Sequence, residues 1–262
     1  MSEQAVRHIL GLSGGKDSAA LAIYMRDRVP EMEYVFADTK KELPETYEFL
    51  AQLEAYLGKP VVRLNPERGF DHWLDVHGNF LPSARMRWCT RQLKLIPFER
   101  YVGEDPVVNY VGIRADEDRE GYISTKSNIT SRFPFKEDGI AKEDVLRILD
   151  DSGLGLPKYY EWRTRSGCFF CFFQRKSEWI GLKENHPELF EQAKEYEKSD
   201  PETGKRYTWQ QGESLDEMEQ PARVAQILER QAAIGSSSQS ATLAAILDQE
   251  EDDERACLIC DL

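Results

Sequence analysis

Long apolar runs are missing from this chain. No stretch approaches the ~20 residues that a membrane-spanning helix needs, and the opening residues MSEQAVRH lack a signal-peptide pattern. A cytoplasmic protein without a membrane partner is therefore expected, and the Asn128-Ile129-Thr130 sequon carries no meaning. Cysteine is scarce, five in 262 residues. An odd count, two C-x-x-C pairs and no secretion signal argue against a disulfide framework and for metal or redox chemistry. Neither G-x-x-x-x-G-K-[ST] nor G-x-G-x-x-G occurs, which excludes the commonest phosphate and dinucleotide loops. No internal repeat is visible. Net positive charge is lacking too: 34 Lys+Arg against 47 Asp+Glu leave −13, which disfavours non-specific adhesion to nucleic acid.

What is there begins with Ser13-Gly14-Gly15-Lys16-Asp17-Ser18. It follows an apolar run over 6–12 and opens onto 16–28, which is rich in alanine and leucine. A strand, a glycine turn and a helix start are what an anion site needs, because the helix tip presents unpaired N–H groups and partial positive charge. Gly14 and Gly15 allow successive N–H groups to curl around one oxyanion. Ser13 and Ser18 add hydroxyls, and Lys16 a compact positive charge. Two adjacent glycines alone would be an ordinary strand-to-helix turn; the six residues together favour a phosphate site.

Downstream, strands are expected at Glu33–Ala37, Val61–Leu64 and 107–113, with helices at Pro44–Leu57, Phe70–Val76, up to residue 102, and 142–149. Such alternation implies a parallel sheet covered on both faces. Ligands then sit beyond the carboxyl ends of the strands, so Ser13 and Asp38 should share one rim. Arg114, also at a strand end, could grip phosphate as a bidentate fork or pair with Glu117. Basic residues cluster around Arg85, Arg87, Arg91 and Lys94, and again around Lys158, Arg163, Arg165, Arg175 and Lys176. Both clusters flank cysteines and would suit a phosphate-bearing substrate. Ser214 and Glu217 form a capping box, and 234–240 reads as a hinge.

The loop SGGKDS resembles the PP-loop of the ATP pyrophosphatases. Further segments resemble the phosphoadenosine phosphosulfate (PAPS) reductase-like branch of that superfamily. Asp38-Thr39-Lys40 through Thr46 is similar to its D-T-G-x-x-x-P-E-T segment, with Lys40 in place of glycine. Arg87-Trp88-Cys89-Thr90 is similar to W-C-C, with Thr90 in place of the second cysteine. Residues 112–119 follow G-x-R-x-x-E-x-x-R through Gly112, Arg114, Glu117 and Arg119, and 178–190 and 209–215 complete the series.

The resemblance implies an α/β fold of the adenine nucleotide alpha hydrolase-like type: a Rossmann-type parallel sheet flanked by helices, with a helical C-terminal extension. Its expected domains are a nucleotide-binding part over 1–155, a cysteine-containing helical extension over 156–233, and a hinge and tail over 234–262. It implies ATP binding by Ser13, Gly14, Gly15, Lys16, Asp17, Ser18, Asp38, Thr39 and Arg114. Lys16, Asp17 and Arg114 would carry catalysis, and Mg2+ would shield the phosphates through Asp17 or Asp38.

Cys168 and Cys171 stand just before a helix expected over 175–185, where the dipole and nearby arginines lower thiol pKa. Thiolate sites favour an iron–sulfur cluster or zinc. The resemblance implies a [4Fe–4S] cluster on Cys89, Cys168 and Cys171. Zinc on Cys168, Cys171, Cys257 and Cys260 is the rival, and the terminal pair could also act as a thiol relay.

Taken whole, the chain resembles the small ATP pyrophosphatases of bacterial DNA phosphorothioation (the SspD/DndC type). That implies adenylation of a substrate oxygen, a DNA backbone phosphate, followed by sulfur insertion from a cysteine desulfurase. Sulfonucleotide reduction is the alternative, though the tail around Cys257 and Cys260 lacks the reductases' E-C-G-x-H context. A non-catalytic nucleotide-binding scaffold is the third reading. Oligomeric state stays open between monomer and homodimer.

Overall fold

The computed structural model describes residues 5–119, 124–199 and 204–236. In chain order the elements are β1 (Arg7–Leu12), α1 (Lys16–Met25), β2 (Glu33–Ala37), α2 (Pro44–Leu57), β3 (Val61–Leu64), α3 (Phe70–Val76), α4 (Trp88–Thr90), α5 (Ile96–Val102), β4 (Val107–Tyr110), β5 (Ile129–Arg132), α6 (Pro134–Glu137), α7 (Lys142–Asp151), α8 (Lys176–Asn185), α9 (Pro187–Tyr196), β6 (Lys198–Ser199), β7 (Arg206–Tyr207), α10 (Leu215–Met218) and α11 (Pro221–Ser236). A 3-10 turn spans Lys158–Glu161.

Strands β1 to β5 form one parallel sheet in the order β3-β2-β1-β4-β5. Ile9 of β1 lies opposite Glu33 on one side and Asn109 on the other. The chain therefore winds outward from β1 in both directions, and the point of reversal lies between β1 and β4. A crevice opens beyond the strand ends at such a point. Side chains alternate across β1: Leu10 and Leu12 pack with Leu21 of α1, Leu53 of α2, Phe135 of α6 and Leu149 of α7. Ile9 faces the other way, onto Val35, Phe98, Val102, Val107 and Ile129. Burial on both faces is why these strands read as nearly continuous apolar runs.

Several boundaries differ from expectation for local reasons. Helix α1 stops at Met25, where the N–H groups of Arg28 and Val29 both turn back to the Met25 carbonyl. Strand β4 ends at Tyr110 rather than 113. The helix ending at 102 is interrupted by a π turn over Arg91–Leu95, and the Ile96 N–H reaches the Arg91 carbonyl. Pro97 follows immediately and has no N–H to give, so the ladder shifts by one residue before α5 resumes. Strand β5 was not expected; at four residues, with a single buried side chain, it carries little pattern. Helix α11 runs through Gly235 to Ser236, so the hinge expected from 234 does not start there; 237–262 lie outside the described residues.

Two compact units emerge. The first comprises the described residues up to 70 together with 89–168; the second comprises 71–88 and those from 169 onward. Residues 156–168 thus group with the sheet, whereas a boundary at 155 was expected, because their side chains bond to the loop after β1. Residues 71–88 join the second unit, where Phe80 packs edge-on against Tyr207 at 4.7 Å and Tyr196 donates to Asp71 at 2.6 Å. That unit has an aromatic core. Phe170 stacks on Trp209 at 4.9 Å, and the indole N–H of Trp209 donates to the Ala193 carbonyl at 2.8 Å. The expected capping box closes α10: the Glu217 N–H donates to Ser214 Oγ, and the Ser214 N–H to Glu217 Oε2. Among the described residues no helix is long and apolar enough to cross a membrane.

Candidate functional site

The loop leaving β1 is shaped by its own side chains. Gly14 stands at φ +75, and the Gly15 N-cap has no side chain to cap α1. Ser18 Oγ, one turn into the helix, accepts from the Ser13 N–H at 3.1 Å and lies 3.0 Å from Ser13 Oγ. Ser13 Oγ in turn accepts from the Gly15 N–H at 3.3 Å. The two serines therefore brace the loop from within, with the helix tip directed out of the β1 strand end.

Segment 159–166 covers this loop. Tyr159 is wholly buried and donates to the Gly14 carbonyl at 2.7 Å. Burial holds its hydroxyl far above the ordinary tyrosine pKa, so it remains a donor. Tyr160 accepts from the Lys16 N–H at 3.1 Å, and Ser166 Oγ meets Ser13 Oγ at 3.2 Å. A Cβ on Gly15 would come within 2.7 Å of Ser166 Oγ, so any side chain there would force Ser166 to shift. None of Tyr159, Tyr160 and Ser166 was singled out from sequence. Nothing in their spacing marks them; only Pro157 ahead and the cysteine motif behind frame the segment.

Charge gathers at the helix start. Lys16 Nζ lies 2.9 Å from Asp17 Oδ2, and Arg114 reaches Asp17 Oδ1 at 2.8 Å. Burial works to lower the Lys16 pKa, but electrostatic interaction with Tyr160 and Asp17 outweighs it and the net shift is upward. Arg114 also pairs with Asp116 at 2.9 Å and Glu117 at 2.7 Å. Its pKa rises as well: burial opposes the charge, and Asp17 more than compensates. Arg114 is thus ion-paired to three carboxylates, and Asp17 lies between two cations. Burial raises the Glu117 carboxyl despite Arg119 and Arg114 beside it.

The end of β2 contributes Asp38 and Thr39, both 1% exposed. Asp38 accepts from the Lys40 N–H at 3.0 Å, Lys40 Nζ at 2.6 Å and the Tyr47 hydroxyl at 2.8 Å. Lys40 itself stands at φ +62, a conformation that costs a side chain roughly 1–2 kcal/mol. Glycine in the D-T-G pattern matches that backbone, and here two bonds to one carboxylate hold the lysine in it.

This sets up a pH test. Burial pushes the Asp38 carboxyl up, but the hydrogen bonds of Lys40 and Tyr47 prevail and hold it below the ordinary value. A lowered folded-state pKa stabilises above the unfolded value of ~3.9, and that stability disappears as pH falls through the lowered one. Lys40→Gly removes an ammonium but relieves the backbone. Its stability should lie within about 1 kcal/mol of wild type at neutral pH and exceed wild type in acid, below ~pH 3. Denaturant melts at both pH values check the crossover; a wild-type advantage that persists in acid would refute it.

Thr39 donates to Glu42 Oε1 at 2.7 Å and lies 3.2 Å from Cys168 Sγ; that thiol is 3.7 Å from the same Glu42 oxygen. Arg163 is 1% exposed and donates to the carbonyls of Gly167 at 3.1 Å and Cys168 at 3.0 Å. It is an internal brace within the basic cluster that was expected to suit a phosphate-bearing substrate. Cys89 stands in α4 and Cys171 in the second unit. Among the described residues no three His, Cys, Asp or Glu side chains converge as a metal site, and Cys257 and Cys260 lie outside them. The carboxylate oxygens of Asp17 and Asp38 are engaged by Lys16 and Arg114 and by Lys40 and Tyr47 respectively.

Residues 7–135 match the phosphoadenosine phosphosulfate reductase domain family. Two uncharacterized proteins of Methanocaldococcus jannaschii are 27% and 25% identical over 70% and 68% of this chain. The chain spans only 40% and 44% of their lengths. An uncharacterized nin region protein of Escherichia phage lambda is 27% identical, with 67% of this chain and 68% of that one aligned. The crystal structure of a PAPS reductase from Candida auris, a phosphate complex, superposes with a TM-score of 0.50 at 15% identity, covering 63% of this chain and 82% of that one. The fold is therefore an α/β fold matching that of PAPS reductase, with a helical C-terminal region.

Proposed function

We propose that the chain is a nucleotide-cleaving enzyme of the PP-loop type, which adenylates an oxygen of its substrate at the expense of ATP. The observation that carries this reading is the loop over 13–16: an uncapped helix tip, a left-handed Gly14 and the Lys16 ammonium at one strand end. In the proposed step the substrate oxygen attacks the α-phosphorus, the bond from that phosphorus to the β-bridging oxygen breaks, and pyrophosphate leaves with the electron pair. Lys16 and the loop N–H groups hold the leaving pyrophosphate, and Arg114 fixes Asp17 beside Lys16. The work is alignment and charge stabilisation. Magnesium, when bound with ATP, would supply further phosphate shielding.

The acceptor we propose is a DNA backbone phosphate: the terminal sulfur of a persulfide supplied by a cysteine desulfurase then attacks the activated phosphorus, AMP leaves with the electron pair, and a thiol reductant cleaves the remaining S–S bond to free the phosphorothioate. This assignment rests on the ordered motifs and their resemblance to the phosphorothioation enzymes, and basic residues would have to offset a charge of −13. The second reading, sulfonucleotide reduction, is favoured by the domain match over 7–135. The iron–sulfur cluster stays a proposal with zinc as its rival, and neither reading routes a step through it; a brown preparation absorbing near ~400 nm would select the cluster.

Pure protein incubated with ATP and magnesium, with and without DNA, tests the choice. Pyrophosphate release stimulated by DNA is expected. Thioredoxin-dependent sulfite from PAPS without ATP cleavage would select the reductase. Bound nucleotide without turnover in either assay would leave only a scaffold.

A further inference from the structure

The contact least expected of a nucleotide loop is the one Tyr160 makes. Its hydroxyl oxygen accepts the Lys16 N–H at 3.1 Å, on a helix tip that no N-cap side chain fills. A phosphoryl oxygen bound to this loop would take the same N–H. The Tyr160 ring also lies under Lys16 Nζ, 5.5 Å from the ammonium, and its hydroxyl would be 3.3 Å from a Cβ on Gly15. One side chain thus covers an amide, the ammonium and the glycine of the cradle together.

The neighbouring tyrosine is built differently. Tyr159 is wholly buried and anchored to the Gly14 carbonyl, whereas Tyr160 is half-buried and joined to Tyr159 by stacking, with ring centroids 4.9 Å apart, and by a side-chain hydrogen bond. Tyr159 can hold the loop while its neighbour turns away. We infer that Tyr160 is an autoinhibitory stand-in: its hydroxyl occupies the place of a phosphoryl oxygen and is displaced by a ligand carrying linked phosphates. This rests on the nucleotide-site reading of the same loop. It adds a threshold to it, because a lone weak anion must compete with a tethered hydroxyl while a diphosphate gains contacts enough to remove it.

Titration calorimetry of inorganic pyrophosphate into the full chain provides the test. Tyr160→Phe keeps the ring and deletes the competitor, so it should bind pyrophosphate about 3- to 10-fold more tightly than wild type, the range of one neutral hydrogen bond. Tyr159→Phe should weaken binding instead. Unchanged or weaker binding by Tyr160→Phe overturns the inference. A folded wild type that takes up no pyrophosphate at millimolar levels overturns the nucleotide-site reading itself, a distinguishable failure. Nitration of wild-type Tyr160 by tetranitromethane, located by peptide mapping, gives a readout that needs no variant. Pyrophosphate should accelerate it if the ring is released; slower nitration means that the ring stays in place and ends the proposal.

Discussion

Lys16→Ala should lower pyrophosphate release by about 10²–10³-fold, the usual loss when one preorganised charge at a developing anion is removed. Its melting temperature should stay close to wild type. Lys16 projects from the first position of α1 and packs against no core cluster; it loses the 2.9 Å contact to Asp17 and the ammonium's place over the Tyr160 ring. Its pKa is displaced upward, so a cation is present at every physiological pH and a pH optimum would not originate in this group. Arg114→Ala should behave differently. It leaves Asp17, Asp116 and Glu117 without their shared guanidinium, so it should cost ~1–3 kcal/mol of stability as well as activity. Because both cations hold Asp17, the double variant should lose less than the sum of the single losses. Steady-state pyrophosphate assays with parallel thermal melts check all three. A Lys16→Ala enzyme within a few-fold of wild type would remove the loop from the chemistry.

How much of this was legible in the residues depends on how local the information is. The loop was, because its glycines, its lysine and the helix start are consecutive, and backbone chemistry at each position follows from residue type. Asp38 was, because an apolar run ending in Asp-Thr one βα unit later must deliver it to the same rim. Lys40 was visible only as a departure from a pattern, and its left-handed backbone shows what the missing glycine was for. Tyr159, Tyr160 and Ser166 were not legible. They reach Gly14, Lys16 and Ser13 across roughly 145–153 residues of chain, and no periodicity encodes a meeting at that separation. Arg163 was misread for a related reason. A charged residue among charged neighbours looks solvated, and only the carbonyls of Gly167 and Cys168 converging on it explain its burial. Phe170 of the C-x-x-C segment belongs to an aromatic core with Trp209 and Tyr196, which the cysteine spacing does not reveal.

Gly14→Ala should destabilise the chain by about 2–5 kcal/mol through two separable effects. The first is conformational: at φ +75 a Cβ meets the backbone, a cost of roughly 1–2 kcal/mol wherever it occurs. The second is steric, because that Cβ would stand 2.5 Å from Thr46 Cγ2, and overpacking of a closed interior costs typically ~1–3 kcal/mol. Thr46 is fully buried in the first turn of α2 and has no room to retreat. Thr46→Ser deletes that methyl while keeping the hydroxyl, so Gly14→Ala/Thr46→Ser should recover the steric part and leave the conformational part. Urea melts of the four proteins of this cycle measure the coupling directly. A coupling near zero would mean that the loop moves away from α2 when it gains a side chain. Such a loop could not hold its amides in place without Tyr159, whose 2.7 Å bond to the Gly14 carbonyl would then be the principal restraint on the cradle.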